Sequence, residues 1–286
     1  MENIVRTVIG AQVQTCQLLG IQPPILPYTT LNEKFSIQAG VTPTPQITGT
    51  QAVPPVALRY IAIGDRGHSM IANANNTSQP VTVPHSPADT ALYNHLPFQL
   101  VLATNDLSPD IQKNYRLRRK ETWHGTDYIA YYLKVLPIAT VQPQLQLRNV
   151  NNGTVTTTAY TPVSGNLNPP VPTPTAGSTL VATGSYVAAT ATIPFTLSAD
   201  EVTAFMNVCN IIYGNAGYAM ISELALCTGI DGNVSIPGGA VYTEAFNVQV
   251  ASFINTFMAV AFSNNGVSIT LDVGSVSPMM ALKPAG

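Results

Sequence analysis

The sequence predicts a β-dominated α+β fold: an antiparallel sandwich-like or barrel-like body, an N-terminal helix and a second helix near 199–213. Short β-prone runs separated by turn residues recur along the chain, which is typical of antiparallel sheets. The sequence Ser198-Ala-Asp-Glu201 marks a helix start. With 286 residues and 45% hydrophobic content, the chain is long enough to bury a full core.

The first predicted element is a helix over residues 2–19. Val5, Ile9 and Val13 recur at helical spacing, and Gly20 is placed to end the helix. The prolines of the following segment, 22–27, exclude helix and central strand. We therefore expect a short helix followed by a rigid extended arm.

This start divides the chain into residues 1–28, a helix with a Pro-rich arm, and a β-rich body over 29–286. Two arrangements remain open. In one, the arm reaches a neighbouring subunit and Val5, Ile9 and Val13 are partner contacts; in the other, the helix folds back on its own domain. The start Met1-Glu2-Asn3 lacks the basic segment and long apolar core of a signal peptide, so we expect no processed leader.

The first part of the body is predicted to alternate between strands and loops. Residues 34–38, 56–63 and 98–103 have the alternation or β-branched content of strands. The segment 41–55 contains four prolines, and 64–96 is punctuated by Gly, Asn, Ser and Pro, so both are predicted to be irregular.

The clearest local motif is a hairpin over residues 115–136. Two β-prone strands, 115–123 and 128–136, flank His124-Gly-Thr-Asp127, and a four-residue connection that contains glycine is a normal hairpin loop. We expect this hairpin to project from the body.

The first strand of this hairpin lies in a basic run, because five of the 12 basic residues lie between Lys113 and Lys120. On an extended strand, Arg116, Arg118 and Lys120 share one face and Arg119 takes the other. These four residues are candidate partner contacts. The pattern fits a cationic hairpin that docks on an acidic neighbouring protein, and it fits equally well a hairpin face that is exposed to solvent. The net charge of −2 makes nucleic acid an unlikely partner.

The second part of the body is predicted to contain a long loop, strands and the second helix. Residues 151–177 are rich in Thr and Pro, which predicts an exposed extended loop. A strand region over 179–197 leads into the helix, whose capping box and apolar stripe define it. Residues 218–226 fit either strand or helix.

Two strands are predicted at the C-terminal end, over 241–262 and 267–273. Asn264-Asn-Gly266 lies between them. Because Asn and Gly tolerate positive φ, this is a hairpin signal.

The most informative feature of the composition is the distribution of charge. No Lys or Arg occurs from Asn149 to Leu282, and charged residues are 9% of the chain, against roughly 25% in an ordinary soluble domain. Interface cores are depleted in charge, so we interpret the chain as a subunit of a large assembly in which this half supplies much of the intersubunit surface. A secreted, Thr/Asn-rich β protein is the alternative.

Motifs that carry chemistry are scarce. Gly64-Asp-Arg-Gly-His68 could be a catalytic cluster or metal site, but it also fits a turn in which Asp65 binds main-chain amides. The three cysteines, Cys16, Cys209 and Cys227, have no metal-type spacing and are predicted to be buried thiols. We therefore expect no enzyme activity, no metal or organic cofactor and no membrane span.

Three C-terminal phrases, with the hairpin, resemble uncharacterised virion structural proteins of tailed bacteriophages. They are 221–229 (ISELALCTG), 242–253 (YTEAFNVQVASF) and 264–271 (NNGVSITL). The resemblance implies a structural subunit of the capsid, neck, tail or baseplate that is assembled in the host cytoplasm. Its partners would be copies of itself and other virion proteins. Among these locations we expect the neck, tail or baseplate; a capsid or capsid-decoration protein is the first alternative, and a carbohydrate- or receptor-binding module is the alternative of another class.

Overall fold

The computed structural model describes residues 3–24, 55–72, 77–151, 154–165, 173–174, 182–235, 241–262 and 266–275. The chain divides into two compact units. Unit 1 comprises Met1–Leu136 and Thr196–Val267, and unit 2 comprises Pro137–Phe195 and Ser268–Gly286. The predicted boundary near residue 28 and the predicted strand at 34–38 lie outside the described residues.

The described helices and strands confirm a β-dominated fold with antiparallel sheets and few helices. The α-helices are α1 (Val8–Leu19), α2 (Pro109–Gln112) and α3 (Ala199–Tyr213). The strands, in chain order, are β1 (Asn3–Arg6), β2 (Ala57–Gly64), β3 (His68–Ala72), β4 (Ser78–Thr82), β5 (His95–Leu96), β6 (Gln99–Leu102), β7 (Tyr115–Trp123), β8 (Thr126–Val135), β9 (Gln144–Asn151), β10 (Thr154–Ala159), β11 (Thr173–Pro174), β12 (Ala182–Leu197), β13 (Met220–Ser235), β14 (Val241–Ala259) and β15 (Val267–Ser275).

An eight-stranded sheet that curves as a half-barrel forms the frame of unit 1. Its main order is β1-β14-β13-β2-β8-β6, with β5 paired to β2 and β7 paired to β8. The long strands β13 and β14 form its centre. Every residue from Ile221 to Ile230 in β13 is buried, so this strand lacks the alternation of a half-solvated one. That is why residues 218–226 fitted strand and helix equally well.

Helix α3 is formed as its sequence predicts. The Ser198 side chain accepts a hydrogen bond from the Glu201 N–H at 3.3 Å, and the Glu201 carboxylate accepts one from the Ser198 N–H at 2.9 Å. Val202, Phe205 and Cys209 are buried along one stripe. The helix ends at Gly214, which has φ 73°.

The N-terminal segment differs from the prediction. Residues 3–6 are not helical but form β1, which pairs antiparallel with β14. The helix begins after Thr7, whose hydroxyl accepts from the Gly10 N–H at 2.9 Å and donates to the Val250 carbonyl at 2.6 Å. Pairing to β14 and this cap decide the boundary, which periodicity alone could not locate.

Helix α1 folds back on unit 1 rather than standing away from it. A Cβ at Gly10 would clash with the main chain of Ala251, so the helix lies directly against β14. Val13 is buried with Val56 and Ile230. Gly20, at φ 67°, ends the helix as predicted.

Two regions predicted as irregular contain strands. Within 64–96 the chain forms the β3–β4 hairpin and β5; Pro80 lies in β4, which is exposed throughout and tolerates proline. Within 151–177, the Thr-rich run 154–159 is β10, because it pairs with β9, a strand the sequence analysis did not predict.

Unit 2 contains a sheet of order β10-β9-β12-β11, with β15 paired to β12. The hairpin predicted across residues 264–266 is therefore wrong in its pairing, since β15 joins β12 and not β14. Ala188, Ile193 and Phe195 of β12 and Leu271 of β15 are buried. Long-range pairing overrides the local turn signal here.

Candidate assembly surfaces

Each candidate cation of the basic run has a carboxylate of the same chain as its partner. The pairs are Arg116–Asp231 at 2.8 Å, Arg118–Asp106 at 2.7 Å, Arg119–Glu244 at 2.9 Å and Lys120–Asp127 at 2.6 Å. Only the last pair is largely exposed. These four cations therefore do not form a free basic surface, because unit 1 itself supplies their acidic partners.

The base of the hairpin is buried, whereas its tip, residues 124–127, is exposed. Arg116 is 6% exposed and Leu117 is fully buried. Burial raises the pKa of the neighbouring Tyr60 phenol well above its usual range, and so does its hydrogen bond to Asp231. Burial alone would raise the Asp231 pKa as well, but hydrogen bonds from Arg116 and Tyr60 lower it.

The main chain at Leu117 departs from regular strand geometry. Leu117 has φ 51°, a conformation that is unfavourable for a side chain of this kind. The buried Glu244 carboxylate accepts the N–H of Leu117 at 2.7 Å and that of Arg118 at 3.2 Å. Strict alternation along the strand, from which we assigned the faces of the four cations, therefore fails at this point.

The hairpin connection is shorter than predicted. Trp123 pairs with Thr126, so only His124 and Gly125 form the loop. Both have positive φ, at 50° and 79°, which is the signature of a type I′ turn. The Trp123 indole N–H donates to Glu121 at 2.9 Å, so this polar group already has a partner.

In the structure, Asp65 and His68 of the Gly64–His68 motif have separate partners. Asp65 accepts hydrogen bonds from Asn94 at 2.7 Å and from the Tyr213 hydroxyl at 2.7 Å. The His68 ring lies edge-on to Phe257, with ring centroids 5.0 Å apart. Side chains at Gly64 and Gly67 would clash with atoms of Glu223.

A further buried polar site, which no sequence motif indicated, surrounds Glu223. This fully buried carboxylate accepts the N–H groups of Tyr93 and Asn94, each at 3.0 Å, and lies 3.0 Å from His85 Nε2. The other ring nitrogen of His85 lies 3.1 Å from Asp89. No spacing signal connects these residues, because they are separated by up to 138 positions. Every contact is internal, so the site holds loops against β13.

The three apolar residues predicted as partner contacts have different positions. Val13 is buried in the core of unit 1, and Val5 and Ile9 are partly buried. The exposed apolar side chains of this segment are instead Ile4, Val8, Leu18 and Leu19.

The β3–β4 hairpin, called here the ribbon, is a second part of unit 1 that exposes apolar side chains. All of β4 and four of the five residues of β3 are exposed. Met70 is 57% exposed on one face of the ribbon. Ile71 is 50% exposed on the opposite face, where Val81, which pairs with Ser69, is its diagonal neighbour. At its base, Asn255 donates to the carbonyls of Gly67 and Val83, which attaches the ribbon to β14.

Unit 2 has a surface almost without charge. Of the chain's 12 basic and 14 acidic residues, it holds only Arg148, Asp272 and Lys283. All six residues of β10 are exposed. In unit 1, by contrast, the cation-free elements include β13 and β14, most of whose residues are buried in the core. The lack of cations therefore reflects burial in unit 1 and a neutral exposed surface in unit 2.

The described residues contain no group of three or more His, Cys, Asp or Glu side chains that could hold a metal ion. In the same part of the chain, no helix is long and apolar enough to cross a membrane.

These features define a β-rich protein whose polar networks are internal and whose exposed strands are neutral. The chain belongs to a family of unknown function, DUF7208, whose model matches residues 1–285. Comparison with curated proteins finds no match, and neither does comparison with solved structures.

Proposed function

We propose that this protein is a structural subunit of a tailed bacteriophage particle and acts by protein–protein assembly, in the neck, tail or baseplate. The observation that carries the proposal is the ribbon, a two-stranded sheet without Asp, Glu, Lys or Arg that is exposed and carries Met70, Ile71 and Val81. A two-stranded sheet is marginally stable in water by itself. This one exposes apolar side chains on both faces, Met70 on one and Ile71 with Val81 on the other, so a partner that covers it would remove apolar surface from water.

The internal ion pairs support the same function. A chain that used its cations to bind nucleic acid would leave them accessible, whereas Arg116, Arg118 and Arg119 are committed to carboxylates of unit 1. The exposed strands of the ribbon and β10, in contrast, present only uncharged side chains, mostly Thr, Ser and aliphatic groups. Such groups can be buried in an interface without the cost of desolvating a charge.

A capsid or capsid-decoration role uses the same surfaces and is the nearest alternative. A carbohydrate-binding module would require an aromatic platform with a free polar edge. Trp123, the only tryptophan, already donates its indole N–H to Glu121, so the structure offers this class no specific support.

The test is incorporation into particles. Mass spectrometry of purified phage particles that encode the chain should find it at stoichiometric copy number. Ile71→Glu should reduce incorporation strongly, because it places a charge in the ribbon. Ile111→Glu is the matched control, since Ile111 is also exposed but lies on α2. Absence of the chain from particles, or equal incorporation of both variants, would contradict the proposal.

A further inference from the structure

The outer strand of the unit 2 sheet, β10, has none of the features that protect a sheet edge. Within the described residues, β10 pairs with β9 on one side and with no strand on the other. Its sequence, Thr154-Val-Thr-Thr-Thr-Ala159, contains no charge and no proline, and its register with β9 runs without a bulge. Natural proteins usually guard such an edge with one of these devices, because an open strand templates pairing with another chain.

The hydrogen-bond pattern shows which main-chain groups of β10 are directed outward. Tyr160 N–H donates to the Leu145 carbonyl at 2.9 Å, so residues 160, 158, 156 and 154 face β9 in the alternating antiparallel pattern. Val155, Thr157 and Ala159 therefore direct their N–H and C=O groups away from β9.

We propose that β10 pairs antiparallel with β10 of a second copy of this chain, which joins two unit 2 sheets across a twofold axis. The outward-directed groups determine the register. Only residues 155, 157 and 159 can exchange hydrogen bonds, and centring the axis on Thr157 uses all three. Thr157 then lies opposite Thr157 of the partner subunit, and Val155 lies opposite Ala159 of the partner subunit, with about six main-chain hydrogen bonds in all.

The sequence of β10 is compatible with itself in this register. The cross-strand pairs are Thr with Thr and Val with Ala, and no like charges meet, which would destabilise a pair. An occupant with charges on this strand would find no complementary charge, whereas a second copy matches the neutral edge. A single strand pair buries little surface, so we expect weak association in solution that other contacts of an assembly reinforce.

Cysteine trapping tests both the occupant and the register. The full chain carries Cys16→Ser as background, because Cys209 and Cys227 are buried. Thr157→Cys should form a disulfide-linked dimer rapidly under mild oxidation, since Cα atoms of a hydrogen-bonded antiparallel pair are about 5.5 Å apart. Thr156→Cys alone should not, but it should cross-link when mixed with Thr158→Cys, because residues 156 and 158 lie opposite each other in this register.

The exposed control Ile111→Cys gives the background rate of random collision. We expect Thr157→Cys to cross-link at least about tenfold faster than this control, which corresponds to about 1.4 kcal/mol. Equal rates would overturn the proposal, and so would cross-linking of Thr156→Cys with itself. This inference deepens the proposed function. If the chain enters particles but does not cross-link, the β10 pairing is wrong and the virion role stands. If the chain cross-links but is absent from particles, the virion role is wrong and the β10 pairing stands.

Discussion

The Glu244 carboxylate accepts the main-chain N–H of Leu117 at 2.7 Å, although 127 positions separate the two residues. It thereby holds Leu117 in a left-handed conformation at the base of the β7–β8 hairpin. The same carboxylate accepts from Arg118 N–H and from the Arg119 guanidinium. One acid on β14 therefore fixes the position of β7.

Replacement of Glu244 by Gln tests this arrangement. The amide removes the charge that neutralises Arg119 and turns an NH2 group toward donors, so we expect the free energy of unfolding to fall by about 3 kcal/mol. Urea unfolding at pH 7 measures it. Asp110→Asn is the control, because its pair with Lys113 is exposed, and should change stability by less than about 0.5 kcal/mol. Equal effects would show that Glu244 has no special role.

His85→Phe separates the stacking of this side chain from its polar contacts. The ring lies between Phe253 and Tyr93, with centroid distances of 3.8 and 4.3 Å, and phenylalanine can keep this stacking. It loses the contacts to Glu223 and Asp89, so thermal and urea unfolding should show a loss of about 2 kcal/mol. A variant as stable as the parent would mean that the buried carboxylate needs only its main-chain donors.

The turn at His124 and Gly125 predicts opposite effects for two substitutions. His124→Asn should raise stability by about 0.5 kcal/mol, because Asn tolerates positive φ better than His. Gly125→Ala should lower it by about 1 kcal/mol. A Cβ at Gly125 would meet no atom within 4 Å, so any loss comes from the main chain. Unchanged denaturation midpoints for both variants would contradict the turn assignment.

Acid should weaken unit 1 through Asp231 and Glu201. Burial by itself would raise the pKa of each group. Hydrogen bonds from Arg116 and Tyr60 to Asp231, and from Lys134 and Tyr115 to Glu201, outweigh this effect, so both pKa values lie below their ordinary values. A folded-state pKa below the unfolded value stabilises the fold above the unfolded pKa, and this stabilisation is lost as pH falls through the folded pKa. Stability should therefore decline below about pH 5. Asp231→Asn should be less stable at pH 7 and show a shallower decline, and an equally steep decline would exclude Asp231 as a cause.

Helix α1 should contribute to the stability of the single chain. Val13→Ala removes two methyl groups from the cluster with Val56 and Ile230 and should cost about 1.5 kcal/mol. Val8→Ala, on the exposed side, should cost less than about 0.5 kcal/mol. Removal of residues 1–24 should lower the Tm of the isolated chain, contrary to the idea of a detachable arm. An unchanged Tm would restore that idea.

Local signals predicted the elements that depend on local interactions. The capping box at Ser198 and the apolar stripe of α3 are contained within 15 residues, and both appear as predicted. The hairpin β7–β8 was found as well, because its strands are adjacent in sequence. Gly20 was also predicted correctly as the end of α1, because a helix C-cap depends on the φ angle of that one residue.

Elements that depend on distant partners were missed. Residues 3–6 and 154–159 become strands because β14 and β9 offer them edges, and residue propensity does not reveal that. Glu223 and His85 carried no motif, since their contacts come from separate segments. The basic run was found but the partners of Arg116 and Arg119 were not, because Asp231 and Glu244 lie more than 100 positions away.

The neutrality of β10 and the ribbon determines how association should respond to solvent. Interfaces joined by exposed ion pairs weaken as added salt screens them. Strand pairing between uncharged edges has no such attraction to lose, so sodium chloride should leave it nearly unchanged. Sulfate, which is excluded from apolar and main-chain surface, should strengthen it. If the proposed contacts form, salt would therefore act on the two sets of interactions separately: it would screen the more exposed ion pairs of unit 1 and leave the pairing of neutral edges to hydrogen bonding and the exclusion of water.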